Sequence, residues 1–365
     1  MTFYYQDKNY QIDRYPPTTQ TSLQPWSAAD EHLLRYLAER LSVSTPLAIC
    51  HDRFGFLACL LHAHAPISVI SSKSQEKALR TNLLANGFAA DTLPLQDPLR
   101  PLAARIALGL VHIPKSIDLF RLYLYQLSQA LDAEGEVVCA FMTRHFSPQI
   151  TEAALTFFDS ATQSLAWKKS RLLVLKGPKQ VEAPEHISRI ALTAERSLAQ
   201  YPGVFSAKQV DPATRLLIQH LRVRDSDHRV LDLATGNGVL AAALLDQRPD
   251  LEMHVLDDFF LAIASARLNL DPARTHFHYN DCLEDFEDDF FDLIVSNPPF
   301  HFEYEINIEV ALRLFEEATR CLAEGGHFQL VGNRHLNYKV QLARSFRMVK
   351  ILAESPKFVI YQCMK

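Results

Sequence analysis

The sequence predicts an α/β protein made of two tandem Rossmann-like folds, the N-terminal copy degenerate. Three observations carry this. The stretch "HRVLDLATGNGVLAAALL" (His228–Leu245) reads as strand, glycine turn and helix. The apolar run Phe290–Val295 ends at once in Asn297-Pro298-Pro299-Phe300, and proline cannot donate to a sheet ladder, so a buried strand stops there. The first half of the chain repeats the second in order and approximate spacing. At 365 residues there is room for two domains.

The elements of the second half follow in order. Val230–Leu233 is a short strand, Thr235-Gly236-Asn237-Gly238 a tight turn, and Val239–Leu245 the start of a helix. Glycines at such a turn let the backbone approach a ligand, and helix N-terminal amides then face it. A second strand, Met253–Asp258, places Asp257 21 residues after Gly236, where a carboxylate can take both hydroxyls of a ribose. The string Gly-Asn-Gly-Val-Leu-Ala also satisfies the dinucleotide pattern, so an NAD enzyme competes. Two features favour S-adenosylmethionine. Asp232, inside the strand end, can meet the methionine ammonium, and no pyrophosphate has to be held. Asp281, in "YND" ahead of the next strand, can lie near an adenine amino group.

The strand that ends at Asn297 carries the transfer chemistry. In open α/β sheets ligands gather at the carboxyl ends of the strands. Asn297 offers a side-chain carbonyl, Pro298 a backbone carbonyl at a fixed angle, and Phe300 a flat face. Together they suit a planar base with an exocyclic NH2: two acceptors for two N–H bonds and a ring for stacking. A nucleobase amine is a poor nucleophile because its lone pair is delocalised. Fixed acceptors favour its pyramidalisation and in-line attack on a methyl group.

The first half is a worn copy. "LAICHDRFGFLACLL" (Leu47–Leu61) lies over the strand–turn–helix with Gly55 on Gly238. "ALRTNL" (Ala78–Leu83) matches "SARLNL" (Ser265–Leu270), and "LVHIPKS" (Leu110–Ser116) matches "IVSNPPF" with Pro114 on Pro298. "LDAEGEVVCAFMTRH" (Leu131–His145) matches "LAEGGHFQLVGNRH" (Leu322–His335). The chemistry is gone: Arg53 stands for Gly236, Ile49 for Asp232, Ile113 for Asn297 and Lys115 for Pro299. "SLAWKKSRLLVL" (Ser164–Leu175) reads as the closing strand of this copy and Gly177–Arg189 as the linker. The domains expected are 1–180, a degenerate copy that scaffolds the chain or binds substrate, and 190–365, catalytic.

Composition sets the outer bounds. Apolar content of 48% and charged content of 22% are those of a globular chain. Met1–Pro17 has none of the marks of a signal peptide, and no stretch approaches a membrane span. The six cysteines form no Cys-x-x-Cys pair, so neither zinc nor disulfides are expected, and no metal site is assigned. Net charge is −5. Residues 1–185 hold 18 Lys+Arg against 17 Asp+Glu, which leaves 19 against 25 for the rest. Seven of those acids lie in Asp281–Asp292. Basic clusters at Trp167–Arg171 and Asn333–Lys339 are candidates for an RNA-facing surface.

With these residues in view, the chain resembles the bacterial ribosomal RNA guanine-N2 methyltransferases that carry two tandem methyltransferase domains, the first degenerate. The resemblance covers nearly the whole chain, through "RYPPTTQTSLQPWSAADEHLL" (Arg14–Leu34), "IPKS", "LAWKKSRL", "VFS" (Val204–Ser206), "SNPPFH" and "NRHLNY". The opening and "IPK" are more similar to the large-subunit (23S) branch than to the small-subunit (16S) branch. The resemblance implies S-adenosylmethionine lined by Asp232, Ala234, Gly236 and Gly238, with Asp257 on the ribose and Asp281 beside the adenine. It implies Phe205 closing over the cofactor, and Asn297, Pro298 and Phe300 gripping the guanine. It also implies ribosomal RNA as partner. The scattered cysteines and the lack of a signal peptide or membrane span point to a cytoplasmic protein with no membrane contact, and the oligomeric state stays open, with a monomer favoured. The family's usual Asp-Leu-Gly-Cys-Gly is Asp-Leu-Ala-Thr-Gly here, so Ala234 tightens the turn. Adenine and glutamine methyltransferases share Asn-Pro-Pro-aromatic, but more often with Tyr at the position of Phe300. A binding-only assembly factor is the remaining alternative, which intact Asn297 and Gly236 disfavour.

Overall fold

The structure is a computed structural model. It describes residues 1–365 except 39, 43, 44, 194, 195, 207, 208, 299, 300, 303, 304 and 307, with only the backbone of 301, 302, 305, 306 and 308. Pro299 and Phe300 therefore lie outside the described residues. The chain forms two compact units, Met1–His186 and Ile187–Lys365, divided within the stretch read as linker.

The first unit opens with an antiparallel hairpin, Thr2–Tyr5 against Lys8–Gln11. Helix α1 (Ala28–Leu37) follows. It begins at "SAAD", where Ser27 Oγ accepts from Ala29 N and the Asp30 carboxylate accepts from Ser27 N at 2.7 Å. The sheet strands are β1 (Leu47–Cys50), β2 (Ile67–Val69), β3 (Leu95–Gln96), β4 (Ile106–His112), β5 (Leu131–Met142), β6 (Phe158–Gln163) and β7 (Ser170–Pro178). Between them run α2 (Phe56–Leu60), α3 (Lys73–Ala85), α4 (Ile117–Ala130) and α5 (Pro148–Phe157). Strand order is β3-β2-β1-β4-β5-β7-β6, with only β7 reversed. Strand β1 is buried along its whole length, as a central parallel strand covered on both faces must be.

The second unit repeats this plan. A hairpin, Ser188–Ala191 against Ser197–Gln200, precedes α6 (Pro212–His220). The strands are β8 (Arg229–Leu233), β9 (Glu252–Asp257), β10 (Thr275–Tyr279), β11 (Phe291–Ser296), β12 (Leu322–Asn333), β13 (Met348–Glu354) and β14 (Phe358–Met364). The helices are α7 (Val239–Gln247), α8 (Phe260–Asn269), α9 (Ile308–Cys321) and α10 (Tyr338–Ser345). Strand order is β10-β9-β8-β11-β12-β14-β13, again with only the penultimate strand, β14, reversed.

The repeat extends to single atoms. Gly55 and Gly238 are the N-caps of α2 and α7, with φ of 70° and 84°. Asn82 Nδ2 donates to Phe54 O, and Asn269 Nδ2 donates to Asn237 O, both at 2.8 Å. The pairings β4/β5 and β11/β12 each slip register near the start. One expectation needs correction. Ser164–Leu175 is not one strand: the chain reverses at Trp167–Ser170, and β7 begins only at Ser170. Lys168 and Lys169 take φ of 44° and 62°, the conformation of a primed hairpin turn without its usual glycine or asparagine. The apolar residues on either side disguise that turn as continuous strand.

A Cβ on Gly55 would lie 2.8 Å from Leu79 Cα, whereas one on Gly87, also at positive φ, would meet nothing within 4 Å. Both alanine variants carry the backbone strain of about 1–2 kcal/mol. Gly55→Ala should lose a further 1–3 kcal/mol, roughly, from overpacking. Denaturant melts of the two variants read the difference directly.

Candidate active site

The carboxyl ends of β8, β9 and β11 carry six of the expected residues: Asp232, Ala234, Gly236, Asp257, Asn297 and Pro298. Asp232, in β8, is fully buried. Its Oδ2 accepts from Thr235 Oγ1 at 2.6 Å and from Ala241 N, in the first turn of α7, at 3.1 Å. Its Oδ1 is buried and has no hydrogen-bond partner among the described residues. Such an oxygen is expensive to leave unmet, and a cationic ligand group or a water would satisfy it. Burial pushes the Asp232 carboxyl up to about 7, against the lowering pull of its two donors.

Asp257 ends β9. Its Oδ2 accepts from Gly236 N and its Oδ1 from Phe259 N, both at 2.9 Å. It is partly open to solvent, and burial raises its carboxyl to about 6. One lone pair on each oxygen remains for ligand hydroxyls. At Gly236 a Cβ would meet no atom within 4 Å, so the space over the turn is open. Ala234 takes φ of 61°, a left-handed conformation in which a glycine would be unstrained. The carboxylates, the open glycine and the orphaned oxygen fit a ligand with a cationic head and a ribose.

The other residues stand as follows. Asp281 is buried, and its Oδ2 accepts from Arg313 Nη2 at 2.9 Å. Gly238 caps α7, and a Cβ there would lie 3.0 Å from Leu270 Cδ1, so its role is packing as well as turning. Phe205 is 62% exposed. Pro298 is buried directly after β11. Asn297 is held from a distance: its Nδ2 donates to Thr214 Oγ1 at 2.9 Å and to Asp211 Oδ2 at 3.4 Å. With the NH2 end committed to α6, the Oδ1 end remains as the acceptor beside Pro298.

Thr214, Asp211, Thr235 and Arg313 are parts of the site that sequence reasoning missed. "DPAT" is readable as a helix start, with Asp211 as N-cap and Pro212 at the first position. Nothing in the sequence links it to an amide 83 residues away.

Residues 1–180 match the family model of the RLMG N-terminal domain, and residues 195–362 match that of the methyltransferase small domain. A protein of Klebsiella pneumoniae (strain 342) named ribosomal RNA large subunit methyltransferase G is 35% identical over 369 residues, covering 98% of this chain and 96% of the relative. One of the same name from Aeromonas salmonicida (strain A449) is 35% identical over 364 residues, covering 96% of each. The chain belongs to the ribosomal RNA large subunit methyltransferase G family. Among solved structures, the T. thermophilus 16S rRNA N2 G1207 methyltransferase (RsmC), in complex with AdoMet and guanosine, aligns with a TM-score of 0.77 at 22% identity. It covers all of this chain, and 97% of that one is covered. The tandem methyltransferase fold is thus shared by this methyltransferase G family member and RsmC.

Two measurements check the site without ligand. Asp232 and Asp257 have folded-state pKa values above their unfolded ones. Their stabilising contribution is therefore complete below about pH 4 and is lost as pH rises through about 6 and then about 7. Asp232→Asn should gain stability relative to wild type between pH 5 and pH 8, on the order of a few kcal/mol, as read by melting across pH. Ala234→Gly should raise stability by about 1 kcal/mol by relieving the positive φ; an unchanged or lower denaturation midpoint would refute the strain.

Proposed function

We propose that this chain transfers the methyl group of S-adenosylmethionine to the exocyclic N2 of a guanine in 23S ribosomal RNA, in the cytoplasm. The observation that carries the reading is the Asn297 amide, whose NH2 end is engaged by Thr214 and Asp211 so that its oxygen is left as an acceptor, with Pro298 next in the chain. The full-length likeness to large-subunit methyltransferases supports the choice of RNA.

When bound, the cofactor supplies an electrophilic methyl group on a sulfonium. The chain's own residues do the rest. Asp232 Oδ1 receives the cationic head, and Asp257 receives the ribose hydroxyls. Asp281, steadied by Arg313, faces the adenine, and Phe205 closes over the cofactor. Asn297 Oδ1 and Pro298 O accept the two N–H bonds of the guanine amine and turn its nitrogen lone pair out of the ring plane. Phe300 supplies the stacking face. A base edge gripped this closely has to be swung out of its stack, which costs a few kcal/mol. Contacts from the first unit, a degenerate copy that scaffolds and docks RNA, help to offset that cost. Its hairpin tip is a candidate: Lys168 lies over the Trp167 ring and pairs with Glu31, leaving Lys169 as the more available charge.

Mapping N2-methylguanine in ribosomal RNA from a strain lacking this gene tests the reading. Loss of one 23S modification is expected. Loss from 16S RNA would move the substrate, and no loss would favour a binding-only factor. At the site, Asn297→Ala should lower turnover ~10²–10³-fold while calorimetry with S-adenosylhomocysteine shows unchanged affinity. Thr214→Val should lower turnover less, and Thr214→Ser should restore it. Wild-type turnover in Asn297→Ala would reduce the residue to a turn former.

A further inference from the structure

Away from the active site, among the described residues, three side chains converge with the donor set of a metal centre: Glu252, His254 and His276. Glu252 and His254 are two apart in β9 and so share one face of the sheet. His276, in β10, is the registered partner of His254, and the two rings stack with centroids 4.5 Å apart. Glu252 stands five residues before Asp257, about 17 Å along the strand at roughly 3.3 Å per residue, so this group is remote from the cofactor turn.

Distances separate a metal site from an ordinary hydrogen-bonded cluster. Glu252 Oε1 lies 3.3 Å from His254 Nε2 and 3.5 Å from His276 Nε2. Good N–H···O bonds centre near 2.9–3.0 Å, so both contacts are long for that purpose. A tetrahedral ion with ligands at about 2.0–2.1 Å has ligand–ligand edges of about 3.3–3.4 Å. All three donor atoms lie within 4.8 Å of one another. Closing the remaining edge requires His276, which is 57% exposed, to rotate out of its stack on His254 so that both ring planes meet at one point. His254 is the fixed member: it is buried, with the rings of Phe286, Phe290 and Phe291 set edge-on around it at 5.9, 5.5 and 5.3 Å.

We propose that Glu252, His254 and His276 bind a divalent transition ion, zinc first among them, with His278 as the outer partner of His254. Two imidazoles and one carboxylate suit zinc, nickel or copper better than magnesium or calcium. His278 Nε2 lies 3.0 Å from His254 Nδ1. Without metal, His278 Nε2–H donates to His254 Nδ1, and His254 Nε2–H points to Glu252. With metal, each ring shifts one tautomer: His254 Nδ1–H donates to His278 Nε2, and His254 Nε2 presents its lone pair to the ion. No net proton is gained or lost. An imidazole whose second nitrogen is held in this way is the usual arrangement at metal centres. The ion would pin β10, the edge strand of the sheet, to β9.

The test is equilibrium dialysis of untagged, metal-stripped full-length protein against zinc chloride, with bound zinc counted by atomic absorption. The six cysteines are buried and do not compete. One zinc per wild-type chain is expected. His278→Phe, which removes only the outer partner, should weaken binding about 10–100-fold. His276→Ala removes a ligand from an exposed position and should weaken it further, with an unchanged melting temperature in the absence of zinc. Zinc should raise the melting temperature of the wild type and not that of His276→Ala. Equal zinc affinity in wild type and His276→Ala, or no stoichiometric zinc in the wild type, overturns the proposal.

Discussion

One side-chain amide holds the turn on which the second unit depends. Asn269, at the end of α8, donates to Asn237 O and Ala199 O and accepts from Ala199 N, all at 2.8 Å. It thereby ties the residue before Gly238 to the hairpin that opens the unit. Asn237 Nδ2 reaches the same hairpin through Gln200 Oε1. Gripped from outside, the turn can leave its inner face to carboxylates. A half-buried amide with both its N–H bonds and its oxygen engaged in this way specifies one backbone path, because any other would strand several polar groups.

The first unit separates what the fold needs from what the chemistry needs. Asn82 repeats the grip, donating to Phe54 O and Asp13 O and accepting from Asp13 N. The carboxylate in the strand is gone, since Ile49 replaces it. Yet Asp52, moved into the turn, accepts from Ala58 N at 2.8 Å, at the place where Asp232 accepts from Ala241 N. The helix start still required an acceptor, so a worn copy re-supplied one from a neighbouring position. The Asn-Pro-Pro segment had no such structural duty, and only Pro114 remains of it.

The strand–turn–helix, the repeat and the Asp232–Gly236–Asp257 constellation were legible because they rest on local chemistry: glycine at positive φ, proline ending a ladder, an acid at a strand end. What stayed hidden depends on distance or on exceptions. Thr214 and Asp211 meet Asn297 only after a whole sheet has formed between them. The lysine pair at the β6–β7 reversal adopts a turn that lysine seldom takes, so the strand was read straight through it. Glu252, His254 and His276 sit on two strands 22 residues apart, and only pairing register unites them. Orientation of an amide is not a property of sequence at all.

The placement of β14 has a consequence for synthesis. This strand, Phe358–Met364, lies inside its sheet between β12 and β13, although it follows every other strand of that sheet in the chain. The second sheet therefore stays open at that position until β14 has been made. The first unit has all its strands once Pro178 has been made, 186 residues before β14 is complete. At about 5–20 residues per second the ribosome holds that interval open for roughly 10–40 s. The first unit is complete while the second is still missing a strand, so the two copies of one fold are born in sequence, with a finished sheet waiting beside an open one.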